Sequence, residues 1–313
     1  MNASVLDPSA ARARFERRAA TYAGAAVVQR EVGRRLLERF DVMRITPSTV
    51  LDVGCGPGTH TALLAARFPS SEVIAIDQAR AMVARAAPSS DSPDLSGWRA
   101  HLGRWFGNAA ERTPQATIRG LVADMTALPL PREKADVLWS NFAMQWAADL
   151  PRLLAEWNRV LRVGGVAMFT APGPDTLREL RAALHQCGLD VPSRVHAFTD
   201  MHDLGDMLVH AGFADPVMDM EVITLEYGSA NALWRDLQAM GGTNTLAARP
   251  RGLMTPRRLA AVAAALDAGR LDDGPIRISV EVVYGHAWKV AAKKTADGHG
   301  IVRIEDIRRG PHH

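Results

Sequence analysis

The stretch LDVGCGPGTHTALLAARFPSSEVIAID, residues 51–77, decides the fold. With Thr49 and Val50 before it, the run to Val53 reads as a short buried strand. Gly54, Gly56 and Gly58 then let the backbone turn sharply and approach a ligand where a Cβ would clash. Residues 59–68 carry apolar positions at helical spacing and stop at Pro69, and residues 72–76 form a second strand ending on Asp77. Two strands joined through a helix make a parallel unit. In open sheets of such units, ligands sit beyond the carboxyl ends of the strands, where strand order reverses. Helix N-terminal amides offer donors there, and Asp77 is placed to accept hydrogen bonds from two ribose hydroxyls.

The glycine spacing narrows the ligand. A dinucleotide loop reads G-x-G-x-x-G, whereas here the third glycine comes one residue early, after Pro57, and Thr59 takes its usual place. Asp52 precedes the loop. Its charge would repel a pyrophosphate and welcome a cationic or zwitterionic ligand. A nicotinamide dehydrogenase is disfavoured on both counts.

LDVGCGPGTH resembles the first motif of the class I S-adenosylmethionine-dependent methyltransferases. The resemblance implies that Asp52, Gly54, Cys55, Gly56 and Gly58 face the methionine part of that cofactor and that Asp77 holds its ribose. VADMTALPL looks like the family's third motif, which would bring Asp124 to the adenine amine and Met125 onto the ring, with Gln78 and Met82 nearby. A generic strand–helix turn with capping aspartates does not explain three elements in this order.

Outward from this unit, residues 8–43 read as two helices, with Val27, Val28, Val32, Leu36, Leu37 and Phe40 at helical spacing. Strands follow at 117–122, 135–140, 165–170 and 217–227, and helices at 79–87, 150–161, 175–187, 200–211, 231–240 and 256–265. The run IRISVEVVYGHAWKV, residues 276–290, reads as a last strand whose second half fits an antiparallel edge. Alternating strands and helices predict an α/β fold, a doubly wound, mostly parallel, Rossmann-like sheet. We expect a helical cap over 1–45, a cofactor-binding core over 46–292 with substrate-side helices over 174–266, and a frayed tail over 293–313. Residues 89–113, SSDSPDLSG followed by WRAHLGRWF and then GNAAERT, interrupt the alternation as an insertion of loop-like and then apolar-aromatic character.

Composition sets outer limits. In 313 residues, 47% hydrophobic and 23% charged, there is enough apolar material for a sizeable core. A net charge of +3 with pI about 9.1 is too mild to argue for nucleic acid. No apolar run approaches the ~18 residues of a membrane span, and the first residues lack a secretory pattern, so the expected compartment is the cytoplasm. Cys55 and Cys187 supply neither a disulfide framework nor a metal quartet, and no metal is expected.

A narrower resemblance covers residues 14–288 outside the insertion. RFERRAATYAGAAVVQREVGRRLLERF, LWSNFAMQW, GPDTLRELR, FTDMHDLGDMLVHAGFADPVMDME and EVVYGHAW together resemble the malonyl-acyl-carrier-protein O-methyltransferase family of biotin synthesis. That implies methylation of the free carboxylate of a malonyl thioester on an acyl carrier protein, or on coenzyme A. Such a carboxylate is already ionised, so no general base is expected; a cationic recogniser and a dry pocket are. Tyr22 resembles a family residue closing over cofactor and substrate, and Asn141, Gln145 and Trp146 follow the fourth strand, where the acceptor lies in such folds, with Asn141 within reach of the cofactor too. Arg249 in AARPRGL is the candidate for the carboxylate; His196 and His202 are site or cap residues, and the arginines of 30–39 form a face for an acidic carrier or a plain solvated one. GPDTLRELR and DLQAMGGTN are also similar to methyltransferase-fold assembly factors, one class of which hydroxylates arginine; that alternative, another small-molecule methyltransferase, and a non-catalytic binding module stay open.

Overall fold

The computed structural model describes residues 6–87, 116–242, 244–252, 254–270 and 274–291. The insertion expected at 89–113 and the tail expected at 293–313 lie outside the described residues. Two helices lead, α1 (Pro8–Ala25) and α2 (Val27–Glu38), followed by β1 (Thr49–Val53), α3 (Thr59–Arg67), β2 (Glu72–Asp77), α4 (Arg80–Ala86), β3 (Thr117–Val122) and β4 (Ala135–Asn141). Then come α5 (Leu150–Val160), β5 (Leu161–Pro172), α6 (Arg178–Gln186), α7 (Met201–His210), β6 (Phe213–Tyr227), α8 (Ala230–Ala239), α9 (Pro256–Ala268) and β7 (Ile276–Lys289).

The strands form one seven-stranded sheet in the order β3-β2-β1-β4-β5-β7-β6. The pairs from β3 to β5 are parallel, and β7 runs antiparallel to both neighbours. Val50 of β1 pairs with Val73 of β2 on one side and Val137 of β4 on the other. Chain order therefore reverses between β1 and β4, which opens a crevice beyond their carboxyl ends.

Every residue of β1 is buried, as a central parallel strand covered on both faces must be. Its alternate side chains feed two cores: Leu51 and Val53 join Ile76, Leu138, Trp157 and Phe169, while Val50 joins Leu36, Leu64, Val73 and Trp139. α5 shows how the sequence specifies one covering helix. Asp149 accepts from the Arg152 amide at 2.9 Å as N-cap, Pro151 sits in the first turn, and Leu153, Leu154, Trp157 and Val160 make the buried stripe. A third core gathers α6, α8 and α9 over one end of β7 through Leu180, Leu184, Leu233, Val262, Leu266 and Ile278.

One expectation is corrected. β7 is antiparallel but internal, paired with β5 from Val166↔Trp288 to Pro172↔Val282 and with β6 on its other side. Its residues from Ile278 to Tyr284 are buried, whereas β6 alternates between buried or half-buried and exposed positions and forms the edge. The polar Ser279 and Glu281 of β7 are buried along with the apolar residues between them, so the strand is covered on both faces although its first half alternates in sequence.

Candidate functional site

The glycine loop joins β1 to α3 directly over the reversal point. Gly54 and Cys55 donate their amides to Ile76 O at 2.8 and 2.9 Å, fastening the loop to the end of β2. Gly54 has φ +77°, and a Cβ on it would lie 2.2 Å from Ala143 Cβ, so no other residue fits. Gly56 faces open space, with Tyr22 Cε1 3.8 Å from where its Cβ would stand.

Asp77 closes the turn from the other strand. Its Oδ2 accepts from the Gly56 amide at 3.1 Å and its Oδ1 from Ala79 at 2.8 Å, leaving lone pairs on both oxygens for a ligand. Burial, opposed by these two amides and reinforced by Glu16, raises its pKa to about 6. Asp52 lies behind the loop, 2% exposed, and accepts from Thr61 Oγ1 at 2.6 Å. Burial above all, with the Asp77 charge adding to it against the Thr61 bond, lifts Asp52 to about 7. Buried Asp52 and half-buried Asp77 thus lie together under the loop, and a cation bound there would favour their ionised forms.

The crevice has a volume of about 520 Å³ including its open mouth, within the range of small-molecule sites. Gly54, Gly56, Asp77, Gln78, Met82, Met125, Asn141, Tyr22 and Trp146 line it, so the structure brings these sequence candidates together. Asp52, Cys55 and Gly58 stand behind the lining rather than in it. Cys55 is buried, and burial followed by the neighbouring acids pushes its thiol well above its usual pKa, so it is an unreactive thiol. Asp124 is exposed; its Oδ1 caps the next turn by accepting from Thr126 N and Oγ1, both at 2.8 Å, while Ala123 and Met125 on either side face inward.

α1 roofs the crevice. Phe15 and Tyr22, seven residues apart on one helix face, both line it, and Phe15 meets Trp146 edge-on at 5.0 Å. Burial first, and then Asp77, raises the Tyr22 phenol above its ordinary pKa. Asn141 ties α2 down, its Nδ2 donating to Gln29 O at 2.8 Å while its Oδ1 accepts from Thr170 Oγ1 at 2.7 Å. Phe142 follows with φ +49°, a strained value for a non-glycine residue, held by its amide donating to Thr170 Oγ1 at 3.0 Å. Phe15, Phe142, Ile76, Ala123 and Ala143 are lining residues that the sequence reading did not single out. The seven-residue spacing of Phe15 and Tyr22 is the signal that could have added the first.

The remaining candidates lie apart. Gln145 and His196 line an adjacent groove, and His202 is exposed, its Nδ1 2.7 Å from Asp200 in the first turn of α7. Arg249 does not line the crevice: its Nη1 donates to Asp7 Oδ2 at 3.0 Å and Leu246 O at 2.8 Å, beside the start of α1. The arginine face expected on α2 is largely neutralised, with Arg34 on Glu31 and Glu38, Arg35 on Glu31 and Glu221, and Arg39 on Asp219. Among the described residues no group of three His, Cys, Asp or Glu could hold a metal, and no helix is long and apolar enough to cross a membrane.

Known proteins are similar to this chain in sequence and in fold. Residues 51–169 match the model of the methyltransferase domain family. Malonyl-acyl-carrier-protein O-methyltransferase of Laribacter hongkongensis is 44% identical over 301 residues, covering 95% of this chain and 96% of that one. The enzyme of the same name from Gallionella capsiferriformans is 42% identical over 303 residues, covering 97% and 98%. The BH2331 protein of Bacillus halodurans, at 16% identity, shares the fold with a TM-score of 0.54, covering 82% of this chain and 98% of that one. Matched over nearly its whole length at such identity, the chain belongs to the malonyl-acyl-carrier-protein O-methyltransferase family.

Proposed function

We propose that the protein esterifies the free carboxylate of a malonyl thioester on an acyl carrier protein, an early step of biotin synthesis in the cytoplasm. The observation that carries this reading is the full-length likeness to enzymes of that name, joined to a crevice with an acid at its floor and an aromatic roof. S-adenosylmethionine, when bound, supplies the electrophilic methyl group.

The residues suit that cofactor. Asp77 has free lone pairs on two oxygens for a pair of ribose hydroxyls, and Ile76, Met82, Ala123 and Met125 offer an apolar slot beside it for a flat ring. Asp52 and Asp77 balance positive charge from beneath the glycine loop. Asp124 serves the adenine edge from the rim. A malonate carboxylate is ionised near neutral pH, so the protein's work is orientation and exclusion of water. Tyr22 and Trp146 cover the reacting groups, and Asn141, whose amide is fixed at both ends, holds the wall on which the acceptor rests.

Mass spectrometry of malonyl-acyl-carrier protein incubated with S-adenosylmethionine tests the proposal. A gain of one methylene mass on the malonyl group is expected. An unchanged malonyl carrier, with the protein folded and binding the cofactor, would overturn it.

A further inference from the structure

A second cavity lies on the far side of Trp146 from the crevice. It is a groove of about 990 Å³ including its open mouth, lined among others by Leu6, Gln145, Ala147, Pro172, His196 and Phe198. Trp146 lines the crevice while its neighbours Gln145 and Ala147 line the groove, so this short turn is the partition between the two. The partition is aromatic: Trp146 meets Phe15 at 5.0 Å on one side and His196 at 5.5 Å on the other. Gln145 donates through Nε2 to Phe142 O at 2.8 Å, yet its Oε1 is buried without a partner.

The outer rim of the groove is charged. Leu6 bridges to Leu246, Asp7 donates its amide to Thr245 O at 2.9 Å, and Arg249 is bound to Asp7. Around this corner stand Arg14, Arg17 and Arg18, at i, i+3 and i+4 on one face of α1 with Arg14 Nη1 donating to Asn244 O at 3.1 Å, together with Arg249 and Arg251. Arg14 is partly buried, with its pKa lowered first by burial and then by Arg17, Arg249 and Arg18, and Arg251 adds to the field at Asp7. Glu16 on the same helix points elsewhere, accepting from the Ala81 amide at 3.1 Å. Among the described residues no carboxylate pairs with Arg17, Arg18 or Arg251, unlike the arginines of α2. A cluster of like charges repels itself, and an anionic partner relieves that cost.

We propose that the groove behind Trp146 receives the pantetheine arm of the substrate and that the arginine patch at its rim docks the acidic surface of the carrier protein bearing that arm. The arm alternates methylenes with amides, suiting largely apolar walls with Gln145, His196 and Thr199 as polar points, and it joins its carrier through an anionic phosphodiester. This rests on the malonyl-carrier reading above and assigns the surface on which that substrate lies.

The test compares three malonyl thioesters: those of acyl carrier protein, coenzyme A and N-acetylcysteamine. For the combined variant Arg17→Glu/Arg18→Glu/Arg251→Glu, the ratio of kcat/KM for the carrier to that for N-acetylcysteamine is expected to fall roughly tenfold or more, mainly through KM, with Lys at the same three positions restoring it. An unchanged ratio, or an equal loss on all three thioesters, would overturn the docking surface. Equal losses on carrier and coenzyme A alone would assign the patch to phosphate and overturn the carrier's place there. Ala197→Trp, at an exposed groove residue, is expected to raise KM for carrier and coenzyme A relative to N-acetylcysteamine; no change would remove the arm from the groove. Failure of the wild-type protein to methylate any malonyl thioester is a different result and sinks the proposed function itself.

Discussion

The Gly56 amide donates to Asp77 Oδ2 across 3.1 Å, so one carboxylate both shapes the glycine loop and faces the crevice. Loop and ligand therefore depend on the same two oxygens. Asp77→Ala removes the acceptor of the Gly56 and Ala79 amides together with the proposed ribose contact. Affinity for S-adenosylmethionine is expected to weaken by about 1–3 kcal/mol, and Asp77→Asn, which keeps one acceptor oxygen, should fall between. Isothermal calorimetry reads both; equal affinity in all three proteins would show that Asp77 does not hold the cofactor.

The two acids also set a pH dependence. Their ordinary carboxylate value is 3.8, whereas burial lifts Asp77 to about 6 and Asp52 to about 7. Between about pH 4 and 7 the folded chain thus holds protons that the unfolded chain has released. Their contribution to stability is complete below the unfolded value and is lost as pH rises through the folded ones. The ligand-free melting temperature of Asp52→Asn should accordingly fall less from about pH 5 to 7.5 than that of the wild type. A cationic ligand favours the ionised acids, so cofactor affinity should climb over the same window. Parallel melting curves for wild type and variant would remove Asp52 from this account.

Much of this was legible because it is local. The residues predicted for β1 and β3 are those observed, and punctuation by Pro69 placed the end of α3 within a residue. What escaped depends on chain crossings. The roof contact between Phe15 and Trp146 joins positions far apart in the chain, and so does the pairing of Arg35 with Glu221. Residue type announces an arginine, while only the fold says whether a carboxylate from β6 has neutralised it. The same holds for Arg249, which Asp7 at the start of α1 engages, and for β7, whose neighbours the order of the chain does not reveal.

Asn141 makes the roof testable apart from the floor. Its side chain joins Gln29 O on α2 to Thr170 Oγ1 on β5, and Thr170 in turn accepts from Phe142 N. Asn141→Ala leaves Gln29 O without this donor and releases the Thr170 hydroxyl, costing about 1–2 kcal/mol of stability. Limited proteolysis should then cut the segment around α1 and α2 faster than in the wild type, with the sheet core surviving. Unaltered proteolysis and melting would mean that α2 is held by its apolar face alone.

Gly54 and Gly164 allow strain to be separated from collision. Both have positive φ, +77° and +82°, so alanine pays a left-handed backbone cost at either site. They differ in surroundings: a Cβ at Gly54 meets Ala143 Cβ at 2.2 Å, while nothing lies within 4 Å of one at Gly164. Gly164→Ala should cost about 1 kcal/mol from backbone strain alone. Gly54→Ala should cost roughly 1–3 kcal/mol more, since Ala143 and the strained Phe142 beside it must move. That movement shifts the crevice wall, so cofactor affinity should drop in Gly54→Ala and stay unchanged in Gly164→Ala. Chemical denaturation and calorimetry on the two variants give both readings, and equal losses of stability would show that the loop yields to a methyl group where the packing says it cannot.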